Sequence, residues 1–545
     1  MDPERELNVA LIAAALIYVA VAAFWVAQAP AGTWTNRIFD FVMWNENDPG
    51  GYYIPAAHEL LDHPGQSCFA GHPGIPLVFV LLAEQRLLYG AARLLGSPLE
   101  FTPFVARHTV AVWATAKVTM AVLHLASFVP LFQLSRILLG RRGLALIAVL
   151  VYLTSFPVAY YQTRVSVEPL ANAFFLWTIV CLVRVEDAAV RPAGRFFGPA
   201  ALAGFLAVSA FFTKIHIMAP WPAFAGAWLL LGSTRGVAIP RRLLAFGAFL
   251  IGGLVGAALY APFTDWESLR SLWEGAPAEG APHSTLQFFA VMAARVGGGV
   301  LAAFRQVHIL NLLPAASQST GFFYFEILFF VAAVAGLVVF FRAAGSRERR
   351  TMAWSLAYCV AVVGLWFYRA FGTDFHGFHY LFPVMAVFAP MAVLGIGILV
   401  PSVGDTSLPR AERVLRAGAA VLALHSAGLL AVFHSKCQDL LSYPQTGAAY
   451  YETALENLRP GQRIAVVGKS PFFFHGLDDG YAKEDRRSTL VKELKDLYVE
   501  GSRPRDVPAL AAELRGLAVA WVIDFTLDAP GPWTVDDWSR QAAAR

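Results

Sequence analysis

A chain of 545 residues that is 57% hydrophobic and only 15% charged falls well short of the roughly one-quarter charged residues of a soluble domain. Its mean hydropathy of +0.54 points to lipid as the solvent. The net charge of +4, carried by basic residues scattered between apolar runs, excludes nucleic acid as a partner.

Residues 1–6 carry almost no net positive charge. The apolar run from Leu7 to about Ala29 exceeds the roughly 7–15 residues of a signal h-region. It reads as a retained first span, with a cleavable signal ending near Ala27-Gln-Ala29 as the rival. A span needs about 20 predominantly apolar residues. The runs of that kind are 7–28, 108–134, 144–160, 169–184, 199–213, 215–232, 243–262, 322–341, 352–370, 380–400 and 416–433. Arginines gather in alternate gaps: 136, 141 and 142; 184, 191 and 195; 235, 241 and 242; 342, 347, 349 and 350; 410, 413 and 416. Because Lys and Arg concentrate in short cytoplasmic loops, this parity puts the N-terminus inside and the tail outside. Residues 75–95 carry Glu84, Arg86 and Arg93, and 285–313 carry Arg295, Arg305 and His308. Both read as interfacial or re-entrant helices. The fold class is therefore a polytopic α-helical membrane protein of about 11–13 spans, N-in and C-out.

After His434 the composition becomes that of a soluble segment. The short apolar runs Arg463-Ile-Ala-Val-Val-Gly468 and Leu517–Asp524 read as buried strands, and 488–500 and 506–516 as helices. That alternation suggests a small α/β domain. The chain divides into a membrane domain, 1–434, whose first outer loop is 29–107, and an extramembrane domain, 435–545. Cys181 and Cys359 lie inside spans and read as packing residues. Cys68 and Cys437 fall on the outer side, where either a bridge or two thiols fits.

Outside the arginine clusters, ionisable residues gather at the outer face. The first loop supplies Asp40, Glu46, Asp48, His58 and His72. Arg164 and Glu168 follow, then Lys214, Asp265 and Glu267, and finally Arg369, Asp374, His376 and His379. Ionisable groups near membrane depth are costly and are functional candidates by default. Acids beside Arg, Lys and His suit a site that activates a hydroxyl and holds a phosphate. His376-x-x-His379 has a spacing that can ligate metal on a helix, but no third ligand is nearby in sequence. No cofactor is indicated.

Several motifs, taken in order, resemble the GT-C glycosyltransferases, the superfamily of protein O-mannosyltransferases and the lipid A aminoarabinose transferase. They are Asp48-x-x-x-Tyr52, Ala56-Ala57-x-x-Leu60, His72-Pro-Gly-Ile-Pro76, Phe156-Pro-x-x-x-Tyr161, Arg164-x-Ser-x-Glu168-Pro-Leu, Phe211-Phe-Thr-Lys214 and His379-Tyr-Leu-Phe-Pro383. The chain departs from the family in three places. The first loop reads Asp48-Pro-Gly-Gly where many relatives have Asp-Glu, the second acid is Glu168 where Asp is common, and His379 stands where Arg is usual.

The resemblance implies inverting transfer of a sugar from a polyprenyl-phosphate donor to a glycan, lipid or protein acceptor hydroxyl at the outer face of a bacterial inner membrane. Asp48 would then be the base, and Glu168 would orient the acceptor or Arg164. Arg164, Lys214, His376, His379 and His72 would contact donor phosphate or substrate, and Tyr52 and Tyr53 a sugar face or the interface. Each role has a plainer rival. Asp48 can cap the helix starting near Gly51, with Asp40 and Glu46 competing for the base role; Glu168 can be a first-turn acid favoured by the helix dipole, and Lys214 can snorkel from a span end. A transporter or flippase of a lipid-linked sugar is the rival class. It would be expected to show repeated halves and midplane sites, and the sequence shows no internal repeat.

Overall fold

The computed structural model describes residues 50–61, 74–154, 165–190, 196–232, 237–266, 332–369, 382–399, 453–467, 498–501, 506–524 and 531–544, with scattered positions between 12 and 26 and at 64–65, 158, 450 and 527. The protein is a helical membrane protein. Four of its described helical stretches are long and apolar enough to cross a bilayer: Ile75–Leu94, Thr109–Leu139, Glu168–Ala189 and Ile239–Phe263.

The first helices form one layer: α1 (Gly50–Glu59), α2 (Ile75–Leu94), α3 (Phe101–Arg107) and α4 (Thr109–Ala126). The bundle proper follows with α5 (Phe128–Leu139), α6 (Arg142–Thr154), α7 (Glu168–Val190), α8 (Phe197–Thr213), α9 (Trp221–Ala227) and α10 (Ile239–Tyr260). It continues with α11 (Ala332–Ala343), α12 (Ser346–Arg369) and α13 (Phe382–Leu399). The apolar run 215–232 is not one helix. It breaks into a single turn, Ile215–Met218, then α9, then a π turn, Trp228–Gly232. Pro220 and Pro222 cause the break, since each removes a backbone donor and clashes with the preceding turn.

Small residues let helices cross at backbone contact. A Cβ at Gly204 of α8 would lie 1.8 Å from the Phe249 carbonyl oxygen of α10, and one at Gly336 of α11 would lie 1.9 Å from that of Met391 in α13. This is the close approach expected where lipid removes any hydrophobic drive between helices. The opposite side of α10 turns Leu243, Leu250, Ile251, Leu254 and Val255 outward, the surface a bilayer covers.

The tail forms a four-stranded sheet of order β2-β1-β3-β4. Its strands are β1 (Arg463–Val467), β2 (Tyr498–Gly501), β3 (Val519–Asp524) and β4 (Pro532–Thr534). β1 pairs in parallel with β2 and β3, and β4 runs antiparallel to β3. Two helices accompany it, α14 (Val507–Gly516) and α15 (Val535–Ala543). The helix expected over 488–500 is corrected at its end. Tyr498-Val499-Glu500 is strand, because these residues pair alongside Ile464–Val466, and pairing context overrides a local helical pattern. Alternate residues of β1 and β3 face opposite ways. Ile464, Val466 and Ile523 share an apolar core with α1–α4, whereas Ala465, Val467 and Val522 pack beneath α14 and α15. The sheet therefore lies between its own helices and the first-loop layer.

Candidate active site

The bundle has two chemically different ends. At one, the arginine clusters meet. Arg184 Nη2 donates to Gln133 Oε1 at 2.8 Å, Arg241 Nη1 to the Ala189 carbonyl at 3.0 Å, and Arg347 Nη2 to Asp187 Oδ2 at 2.7 Å. These contacts tie arginines of three basic gaps to the C-terminal half of α7 and to its neighbour α5. Trp228 Nε1 donates to the buried Glu186 at 2.7 Å on the same end. The fifth cluster, at 410–416, lies outside the described residues.

The other end is about 30 Å away along α7, from 1.5 Å rise per residue over its length. Here Glu168 opens α7 and Lys214 follows the last turn of α8. Lys214 Nζ donates to Glu168 Oε1, and their side chains are only 3% and 5% exposed. A fully buried pair of opposite charges is stable only as a pair, because either charge alone would be desolvated without compensation. One turn along α7, Asn172 Nδ2 donates to Tyr152 Oη at 2.6 Å, both buried.

Gly74 joins the first loop to this end. It precedes α2 with φ +51°, a left-handed conformation that suits glycine. A Cβ there would lie 2.4 Å from Tyr53 Cε1 and 2.9 Å from Val167 Cγ1. Tyr53 directly follows the Asp48-x-x-x-Tyr52 motif, Gly74 lies in the His72-Pro-Gly-Ile-Pro76 motif and Val167 in the Arg164–Glu168 motif. Beside them, Ile75 of α2 packs with Phe212 and Tyr260, the outermost aromatic residues of α8 and α10. Phe79 meets the Phe263 ring edge-on at 5.1 Å.

Of the residues singled out from sequence, Glu168 and Lys214 are brought together. Asp48, His72, Arg164, His376 and His379 lie outside the described residues, as do Cys68, Cys437 and the side chain of Tyr52. Tyr53 is 1% exposed, so the expected sugar-facing role is corrected. Its ring is a packing element held between Gly74 and Val167. His58 is likewise buried, sharing a 3.0 Å hydrogen bond with Thr102 Oγ1 and stacking on Phe101 at 4.6 Å. Cys181 and Cys359 are buried free thiols. Sequence reasoning singled out Lys214 and Glu168 separately. Their pairing was visible only as two charges at facing span ends.

No family model matches the sequence, and no curated protein matches it. Among solved structures, the chain is similar to ArnT from Cupriavidus metallidurans. Against the apo state the identity is 12%, over 95% of this chain and 89% of that chain, with a TM-score of 0.46. Against the form bound to undecaprenyl phosphate the identity is 12%, over 90% of this chain and 89% of that chain, with a TM-score of 0.39.

Proposed function

We propose that the protein is a membrane glycosyltransferase of the GT-C type, which moves a sugar from a polyprenyl-phosphate donor to an acceptor hydroxyl. One observation carries the reading. Segments bearing four of the family-like motifs, far apart in sequence, converge at the end of the bundle opposite the arginine clusters: Tyr53, Gly74, Val167–Glu168 and Lys214. With arginines on the cytoplasmic side, that end faces outward, and the N-in, C-out arrangement follows.

In the reaction, the acceptor hydroxyl oxygen attacks the anomeric carbon. The bond from that carbon to the donor phosphate oxygen breaks, and its electron pair leaves on the phosphate. Asp48 takes the hydroxyl proton, a role that needs its carboxylate within hydrogen-bond reach of the acceptor. Inversion at the sugar follows from attack opposite the leaving group. Lys214 carries three N–H donors on a compact charge. Glu168 holds that ammonium at the end of α8, where a donor phosphate engages it, and Arg164, His376, His379 and His72 supply the remaining polar contacts. Tyr52 borders the sugar.

The test is Asp48→Asn in a purified preparation given a polyprenyl-phosphate sugar. Transfer should fall about 10²–10⁴-fold, the usual contribution of a positioned base, with an unchanged melting temperature. Undiminished transfer by the variant would remove Asp48 as base. Movement of the lipid-linked sugar across vesicles without release of polyprenyl phosphate would favour a flippase.

A further inference from the structure

Ser166 lies two residues before Glu168, just ahead of the first turn of the 23-residue helix α7. It is 0% exposed, and its flanking Val165 and Val167 are 1% and 2% exposed. Its hydroxyl has no hydrogen-bond partner among the described residues. A buried hydroxyl left unpaired destabilises a protein and calls for an explanation.

Other buried hydroxyls of the bundle solve the problem locally. Ser209 donates to the Phe205 carbonyl at 2.8 Å, Thr213 to that of Ser209 at 2.7 Å, and Ser355 to that of Thr351 at 2.8 Å. Each uses the carbonyl four residues back in its own helix. Ser166 has no such carbonyl, because the helix begins after it. Ser135 and Thr351 also lack a partner, but both lie within helices at the arginine end. Ser166 alone of the three adjoins the Glu168–Lys214 pair.

We infer that Ser166 donates its hydroxyl proton in a hydrogen bond to a phosphate oxygen of the lipid-linked donor, an inference that rests on the transferase reading above. Three features select an oxyanion as the partner. The N-terminus of α7 presents backbone N–H groups and the positive end of its dipole. The Lys214 ammonium lies at the same end of the bundle, paired to the first residue of that helix. The serine adds a directional donor without adding charge. The unpaired hydroxyl is then a cost the free protein carries and the bound protein recovers.

The experiment compares thermal melting of wild type and Ser166→Ala in detergent, alone and titrated with undecaprenyl phosphate or inorganic phosphate. Without ligand, the alanine variant should melt at the wild-type temperature or above, since it loses an unpaired polar group. Its affinity for undecaprenyl phosphate should fall about tenfold, the ratio one hydrogen bond to a charged group carries. A lower melting temperature of the free variant means that the hydroxyl has a structural partner, which overturns the inference. An unchanged lipid affinity overturns it while leaving the transferase reading in place. Wild type that binds inorganic phosphate as tightly as the lipid rules out the lipid donor as the partner. Wild type that responds to neither ligand removes the transferase reading itself.

Discussion

The two ends of the helical bundle hold their charged pairs differently, although each buries a carboxyl, Glu186 at one and Glu168 at the other. At the arginine end the Asp187–Arg347 pair is 43% and 35% exposed, and basic side chains reach backbone carbonyls at helix termini. Such pairs are solvated and contribute little; their value is in fixing which way the chain is threaded. At the other end, among the described residues, the Glu168 carboxylate and the Lys214 ammonium are almost wholly removed from solvent. A replacement by packed apolar residues is often as stable as such a pair, so stability does not explain its presence. The donor-binding role proposed above would explain it.

This contrast can be broken experimentally. The largest effect should come from Lys214→Ala, which breaks the buried ion pair with Glu168 and should destabilise the protein by about 3–5 kcal/mol. The double variant Lys214→Met, Glu168→Leu should recover most of that stability in denaturation measurements while losing donor binding. A double variant that binds the lipid phosphate normally would mean the pair is only structural. Next is Gly74→Ala. Its left-handed backbone alone costs about 1–2 kcal/mol for a residue with a Cβ, and Tyr53 must also shift, so transfer should fall together with stability. Arg347→Ala at the opposite end should cost less than about 1 kcal/mol and leave transfer unchanged.

The smallest effect calibrates the surface. Asp537 accepts from the Thr534 hydroxyl and from Arg540, and the Thr534 hydrogen bond holds its carboxyl below the ordinary aspartate range. A folded-state value that is depressed stabilises above the unfolded value and is lost as pH falls through the folded one. Asp537→Asn should therefore lower the melting temperature slightly at neutral pH and not at all in strong acid.

Much of this organisation was legible in the chain because membrane spans are written in long apolar runs. Phe197–Thr213 and Ile239–Tyr260 emerge close to the runs 199–213 and 243–262. β3 and α14 fall within the short tail segments read as strand and helix. What sequence missed depended on contacts distant in the chain. The prolines within 215–232 broke a run whose hydropathy looked continuous. The strand at Tyr498 needed its partner at Ile464. Tyr53 looked like a surface aromatic because neither Gly74 nor Val167 is near it in sequence. Glu168 and Lys214 stood out as charges near membrane depth, but their pairing required α7 and α8 to lie antiparallel. Ser166 stood in the sequence only as the Ser of Arg164-x-Ser-x-Glu168, with no role of its own; burial without a partner among the described residues marks it.

The most direct measurement is photocrosslinking with a polyprenyl phosphate that carries its reactive group beside the phosphate, followed by peptide mapping. Adducts on the segments around 165–170 and 211–218, competed by undecaprenyl phosphate, are the predicted result. Adducts confined to 184–187 and 347–351, or none above the competed control, would contradict a donor site at the Glu168–Lys214 end.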